Sequence, residues 1–266
     1  MSSMPTRMPM LFIGHGSPML AITENKFTPK WHEAIAKMPK PKAVLCISAH
    51  WQTDDVMETS NPNPELIYDF YGFPEELYQV QYSAKSDQEV VDAVQDLLAD
   101  LVPFQQDQQR GLDHGCWAVM KHLYPNADIP VIQLSLCYRL TPQSHIALAR
   151  QLAVLRRKGV LILGSGNLIH NLRLLDWRNM DTPNYGFDWA KNAQNLLLDL
   201  IEKHDLAALA NYQALGEDVM KAINSGEHFL PLLYILALRE QDEPLTIFNR
   251  EFVGGSLDMT CVKIGN

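Results

Sequence analysis

Short runs of consecutive apolar residues constrain the fold of this chain more than any other feature. Runs of about four to eight apolar residues are typical of strands that are buried on both faces of a sheet. Between them lie segments whose apolar residues recur at helical spacing, as Val90, Val94 and Leu97 do. The predicted strands are Met10–Ile13, Ala43–Ala49, Pro130–Leu136, Gly159–Leu163, Leu245–Phe248 and Met259–Ile264.

The alternation of strands and helices predicts an α/β fold, in which a central, mostly parallel or mixed β-sheet is flanked by helices. A chain of 266 residues with 47% hydrophobic residues can bury a large core. Because no repeat, low-complexity tract or linker interrupts the pattern, we expect a single domain over residues 1–266. Helix starts are predicted at Ser86, which forms an S-x-x-E capping box with Glu89, and at Thr141, which precedes Pro142.

The charge and cysteine content narrow the class of protein. Lys and Arg number 22 against 31 Asp and Glu, which gives a formal net charge of −9 and argues against a nucleic-acid or anionic-membrane partner. No run of about 20 apolar residues predicts a membrane span, and the N-terminus lacks the apolar core of a signal peptide. The scattered cysteines form no C-x-x-C pair, which indicates reduced thiols in a cytoplasmic protein. The sequence does not indicate an oligomeric state.

Histidines follow three of the predicted strands. His15 lies two residues after Ile13, His50 directly follows Ala49, and His170 lies seven residues after Leu163. Ligands bind beyond the carboxyl ends of strands in open α/β sheets, and imidazole is the commonest metal ligand in proteins. The three histidines therefore predict a metal site at one edge of the sheet, although any one of them alone is as compatible with a buried structural role.

Two further histidines lie at predicted helix starts. His114, in GLDHGCW, has no strand before it and suits an acid or base, or else a helix-start residue that interacts with Asp113. His228 precedes the apolar stretch FLPLLY. The N-terminus of a helix disfavours a cation, which favours a neutral, ligating imidazole at His228.

The remaining candidates have simpler interpretations. Cys116 is a possible nucleophile but more commonly a buried structural thiol, and the carboxylates of Asp69 and Glu227 either reach the site or are solvated. The sequence has no nucleotide-binding, nucleophile-elbow or H-E-x-x-H motif. Four histidines in amphipathic stretches are predicted to be solvated: His32, His122, His145 and His204.

Five motifs together resemble the class III extradiol ring-cleavage dioxygenases, in particular their DOPA-dioxygenase-type subgroup. The motifs are GHGSP, SAHW, DHG-x-W, SGN-x-x-HN and EH-[FY]-LPLLY, and the resemblance runs in order from Met8 to Ile264. It implies a central sheet and one divalent metal ion, with metal ligands at His15, His50 and His170 and a fourth metal-associated position at His228. It also implies an acid/base role for His114.

The resemblance further implies that O₂ and a catechol, DOPA or a related compound, are the substrates, and that a muconate semialdehyde is the product. The general pattern of the family places two histidines and a carboxylate around Fe²⁺, whereas this sequence has another histidine where the carboxylate is expected. An all-imidazole site suits Zn²⁺ as well as non-haem Fe²⁺, so both ions stay open. The aromatic segment Tyr68–Phe73 is a candidate wall for a flat ring.

Two alternatives use the same histidines. A zinc-dependent hydrolase would activate water at the metal and would need no O₂. A non-catalytic metal-binding protein would keep the metal ligands without ring cleavage, but the presence of His114 argues against it.

Overall fold

Four of the predicted apolar runs form the centre of one sheet in the computed structural model, which describes residues 7–266. They are β1 (Met10–Gly14), β2 (Ala43–Thr53), β5 (Val131–Cys137) and β6 (Val160–Gly166). These strands are parallel in the order β5-β2-β6-β1. Because both faces of the sheet are covered, nearly every residue of these strands is buried, as their uninterrupted apolar sequences predict.

Shorter strands extend the sheet on both sides and make it mixed. The eight strands lie in the order β4-β3-β5-β2-β6-β1-β10-β7, with β3 antiparallel to β5 and β10 antiparallel to both β1 and β7. The predicted α/β fold with a central mixed sheet is therefore confirmed. The outer strands are β3 (Val56–Thr59), β4 (Phe104–Asp107), β7 (Leu245–Phe248) and β10 (Cys261–Ile264), and a separate two-stranded sheet pairs β8 (Phe252–Val253) with β9 (Leu257–Asp258).

Helices cover the two faces of the sheet and form two hydrophobic clusters. Met10 and Phe12 of β1 pack into one cluster with α3, α5, α7 and α10, whereas Leu11 and Ile13 pack into the other with α1 and α4. This alternation is the two-residue period of a strand with a core on each side. The helices are α1 (Thr28–Ile35), α2 (Glu75–Tyr78), α3 (Gln88–Leu98), α4 (His114–Leu123), α5 (Pro142–Gln151), α6 (Ala153–Arg157), α7 (Asp188–Glu202), α8 (Leu206–Ala210), α9 (Glu217–Ala222) and α10 (Leu230–Ala237). None of the helices in the described part of the chain has the length and apolar character that crossing a membrane requires.

Several local predictions differ from the structure. The cap of α3 is Asp87 rather than Ser86, because the Asp87 carboxylate accepts a hydrogen bond from the Val90 backbone N–H. The fourth predicted strand, which ends at Leu163, continues as β6 to Gly166. The prediction of a solvated His145 is also wrong: its ring is fully buried, 2.9 Å from the Tyr234 hydroxyl and 3.1 Å from the Cys137 carbonyl oxygen.

A buried carboxyl group on β3 makes the stability of the fold depend on pH. Glu58 is fully buried, and neither carboxyl oxygen has a hydrogen-bond partner within residues 7–266. Burial, with a smaller contribution from Asp92, raises the pKa of Glu58 to about 9. Because the pKa is higher in the folded chain than in the unfolded chain, the stability that Glu58 contributes is complete below its unfolded pKa and is lost as the pH rises towards 9.

We therefore expect Glu58→Gln to stabilise the protein more at pH 8 than at pH 5. The glutamine has nearly the same size but no charge, so at pH 8 the free energy of unfolding should rise by about 4–5 kcal/mol, with a change of less than about 1 kcal/mol at pH 5. Urea unfolding at the two pH values measures the difference, and Glu202→Gln, at an exposed position on α7, is the matched control. Equal effects at both pH values would contradict the prediction.

Candidate active site

Five histidines meet at the carboxyl ends of the central parallel strands. His15 follows β1, His50 lies in the last third of β2, and His170 follows β6. His114 is the first residue of α4, and His228 lies in a 3₁₀ turn directly before α10. The ring of His15 lies 4.9 Å from that of His50, 5.9 Å from that of His114 and 5.3 Å from that of His228. The structure thus brings together all five histidines that the sequence singles out.

Two glycines let the elements that carry these histidines approach one another closely. A side chain at Gly166, the last residue of β6, would overlap the backbone carbonyl of His228, which instead accepts a 2.9 Å hydrogen bond from the Asn167 N–H. A Cβ at Gly115 would lie 2.8 Å from the His50 ring. Glycine at these positions allows the turn before α10 and the start of α4 to sit directly against the sheet.

The side chain of Ser165 fixes the orientation of the His15 ring. The Ser165 hydroxyl donates its single proton to the Gly115 carbonyl oxygen at 2.5 Å, and its oxygen lies 2.9 Å from Nδ1 of His15. Ser165 must therefore accept a proton from Nδ1, which leaves Nε2 of His15 with a free lone pair. This Nε2 lies 3.1 Å from Nε2 of His50, a distance that two imidazole nitrogens tolerate only with a proton or a cation between them.

His228 is oriented in the same way by a neighbouring carboxylate. Nδ1 of His228 lies 3.1 Å from Oε1 of Glu227, which also accepts a hydrogen bond from Ser225. The other ring nitrogen, Nε2, is buried and has no hydrogen-bond partner within the described residues. A buried nitrogen with a lone pair and no donor nearby is the environment that a metal ion satisfies, and a carboxylate behind the ring is the usual support for a metal-binding histidine.

The histidines divide into overlapping groups that have the spacing of metal ligands. Ligand atoms of His15, His50 and His228 all lie within 4.8 Å of one another. His170 belongs to another such group, with Glu227 and His228, and its ring stacks on that of His228 at 3.5 Å. His228 therefore lies within ligand spacing of both His15 and His50. His170 stacks on the His228 ring and belongs to a different group of possible ligands.

Burial keeps these imidazoles neutral. Burial, and then the charge of neighbouring imidazoles, lowers the pKa of His15 and His228 well below the usual value. Burial also lowers the pKa of His50 and of His170 to about 4. A neutral imidazole is the form that binds a metal ion, so the site is prepared for a cation near neutral pH.

Asp113 connects α4, which carries His114, to the sheet. It is the N-cap of α4 and is fully buried. Its carboxylate accepts 2.7 Å hydrogen bonds from the Ser48 hydroxyl and the Gln133 amide. Ser48 in turn accepts the backbone N–H of His50 at 3.2 Å. Asp113 thus fixes the position of the helix start relative to His50, instead of bonding to the His114 ring.

The carboxylate that faces His114 is Asp69. Its Oδ1 lies 2.9 Å from Nδ1 of His114 and accepts the His114 backbone N–H at 2.9 Å, while its Oδ2 lies 3.7 Å from Nδ1 of His50. Burial alone would raise the pKa of Asp69, but the contacts with His114 outweigh burial and hold it below the usual value. Of the two carboxylates that the sequence left open, Asp69 reaches His114 and Glu227 reaches His228.

Other residues around the site have supporting roles. The Phe70 ring meets the His114 ring edge-on at 5.5 Å and the Trp117 ring at 6.2 Å, so part of the aromatic segment packs directly against the histidines. Cys116 is fully buried, and burial raises the pKa of its thiol well above the usual value, which favours a structural thiol over a nucleophile. Ser165 is not among the predicted site residues, because a serine among small residues at a strand end carries no distinctive signal.

Comparisons with known proteins agree with this geometry. Residues 9–256 match the family described as the catalytic LigB subunit of aromatic ring-opening dioxygenase. A 4,5-DOPA dioxygenase extradiol of Escherichia coli K12 is 35% identical over 98% of this chain and 96% of its own length, and one of Beta vulgaris is 36% identical over 95% and 94%. The crystal structure of an uncharacterized protein from Escherichia coli K12 superposes with a TM-score of 0.83 at 33% identity, covering 97% of this chain and 100% of that one.

These relatives do not favour the hydrolase or the non-catalytic alternative. The family implies a catalytic metal, O₂ and a small-molecule aromatic substrate, and the cluster of buried imidazoles is a fitting place for the metal. The predicted extradiol dioxygenase activity is therefore confirmed by the family and its relatives. The chain belongs to the family of the catalytic LigB subunit of aromatic ring-opening dioxygenases, which are metal-dependent enzymes.

Proposed function

We propose that this enzyme opens the ring of a catechol, DOPA or a related compound, next to its two hydroxyls and releases a muconate semialdehyde. The single observation that carries the assignment of the site is the convergence of ligand atoms of His15, His50 and His228 within 4.8 Å of one another, on rings whose Nδ1 atoms each face an oxygen. The names of the relatives, which are 4,5-DOPA dioxygenases, support the choice of substrate.

We infer that His15, His50 and His228 hold one divalent metal ion. Three imidazoles leave coordination positions free, and the bound metal would supply a place where both catechol oxygens and O₂ can be held together. The resemblance gives His170 as a ligand and His228 as the fourth metal-associated position; because the His170 ring stacks on that of His228, we propose that His170 supports His228 instead of binding the ion. An all-imidazole set accepts Zn²⁺ as well as Fe²⁺, but Zn²⁺ has no redox chemistry, so we propose Fe²⁺ as the ion that supports activity.

His114 is the proposed acid/base. Its ring lies 3.9 Å from that of His50 and 5.9 Å from that of His15. A catechol bound to a metal ion at these two histidines would therefore have a hydroxyl within reach of His114. In this role His114 removes one catechol proton and returns a proton later in the reaction. Phe70, packed on the His114 ring, offers an apolar surface to the flat substrate ring.

We also propose that the enzyme is cytoplasmic and has no nucleic-acid partner. Among the described residues the four cysteines are unpaired and buried, which supports a cytoplasmic enzyme. The net charge of −9 supports the absence of a nucleic-acid partner.

Metal content separates the role of His228 from that of His170. We expect His228→Ala to lower the affinity for the metal ion at least about tenfold, because it removes one of three ligands, and His170→Ala to retain metal close to the parent protein. Isothermal titration with Fe²⁺ under anaerobic conditions, or with Zn²⁺, measures both. His32→Ala, which changes an exposed histidine on α1, is the control. Metal loss in His170→Ala with retention in His228→Ala would reverse the assignment.

Ring cleavage tests the proposed reaction itself. Protein loaded anaerobically with Fe²⁺ and then given air and DOPA should consume one O₂ per catechol and form a yellow semialdehyde, whereas Zn²⁺-loaded protein should not. His114→Ala should lower kcat by about 10²–10⁴-fold, the usual contribution of a general acid/base, while it keeps its metal. Absence of O₂ uptake with every catechol tested would refute the proposed function.

A further inference from the structure

The carboxylate of Asp69 contacts two of the five clustered histidines, His50 and His114. One of its oxygens lies 2.9 Å from Nδ1 of His114 and also accepts the backbone N–H of the same residue, and the other lies 3.7 Å from Nδ1 of His50. Its side chain is 25% exposed. Asp69 is therefore placed between a proposed metal ligand and the proposed acid/base and contacts both on the same ring atom.

Within residues 7–266, no other group is available to Nδ1 of His114. This nitrogen is buried, and apart from the Asp69 carboxylate, with which it is not yet aligned, it has no hydrogen-bond partner. Asp113, the carboxylate next to it in the chain, is occupied by Ser48 and Gln133. Catalytic hydrogen bonds are commonly loose without substrate and tighten in the complex. The carboxylate of Asp69, 2.9 Å away, is thus the group within reach of a proton on Nδ1 of His114.

The segment that carries Asp69 is anchored on both sides. Before it, the Ile67 carbonyl accepts a 3.0 Å hydrogen bond from the Trp117 indole, and the Tyr68 hydroxyl donates to the Val80 carbonyl at 2.7 Å. After it, the Phe70 ring packs on His114 and Trp117. Because Trp117 lies one turn after His114 on α4, the segment and the helix start form one packed unit that holds the carboxylate against the imidazole.

We propose that Asp69 is a positioning residue for His114, one that holds the proton on Nδ1 and so leaves Nε2 as the nitrogen that exchanges a proton with substrate. A neutral imidazole has one proton for two nitrogens, and a carboxylate beside Nδ1 decides which nitrogen keeps it. The consequence for the reaction rests on the proposed function, since it requires His114 to act as the acid/base. The effect of Asp69 on the position of the proton in the His114 ring does not depend on the proposed function.

Kinetics of single and double variants test whether Asp69 acts through His114. Asp69→Ala should lower kcat about 10- to 100-fold, as the loss of a supporting carboxylate usually does, with a smaller change in KM. In the His114→Ala background the same substitution should cause no further loss of kcat, because its target is gone. With metal at a saturating concentration in every variant, equal loss of kcat in both backgrounds would overturn the proposal, because Asp69 would then act through His50 or another group.

The protonation form of His114 provides a readout that does not depend on turnover. Protein with ¹⁵N-labelled histidine and bound Zn²⁺, which is diamagnetic, should show His114 protonated on Nδ1, with the signal assigned by its absence in His114→Ala. Asp69→Ala should move the proton to Nε2, whereas Glu76→Ala, which removes an exposed carboxylate on nearby α2, should not. The same proton position in the parent and in Asp69→Ala would overturn the proposal. If no catechol is cleaved, the proposed function fails while this measurement still decides the role of Asp69.

Discussion

The active site depends on oxygen atoms that lie behind the histidine rings and determine where each imidazole carries its proton. Ser165 accepts the Nδ1 proton of His15, Glu227 that of His228, and Asp69 lies behind both His50 and His114. The Nε2 atoms of His15 and His50 lie 3.1 Å apart, and ligand atoms of His15, His50 and His228 lie within 4.8 Å of one another. Burial lowers the pKa of His15, His50 and His228 and keeps these three imidazoles neutral, so each has a lone pair for a cation. Without these oxygens, nothing would set the orientation of these four rings or the nitrogen on which each carries its proton.

The fold supports this arrangement by bringing distant segments together at one edge of the sheet. The parallel strands β1, β2 and β6 end side by side, which delivers His15, His50 and His170 to the same place. The buried Asp113 ties the first turn of α4 to β2, and the missing side chain of Gly166 lets the turn that carries His228 lie on the end of β6. The site thus rests on the rigid centre of the molecule, while the aromatic segment around Asp69 adds a wall from outside the sheet.

The strands of the sheet and the location of the five histidines can be predicted from the sequence, because both depend on short stretches of neighbouring residues. An uninterrupted apolar run such as Ala43–Ala49 has few alternatives to a buried strand, and a histidine at its end has a predictable location. The roles of individual residues depend instead on distances between segments far apart in the chain. Asp69 lies 45 residues before His114, and nothing local shows that it faces that ring. His145 lies on a helix with polar neighbours, yet its partner, Tyr234, comes from α10.

Anomalous diffraction from crystals soaked with the metal ion locates the ion without reference to activity and so decides which histidines bind it. We predict one peak per chain at about 2.0–2.1 Å from Nε2 of His15, His50 and His228, the usual metal–imidazole distance, with the Nδ1 atoms still facing Ser165, Asp69 and Glu227. A peak bound instead by His170 and Glu227, or by His114 and Asp69, would contradict this prediction.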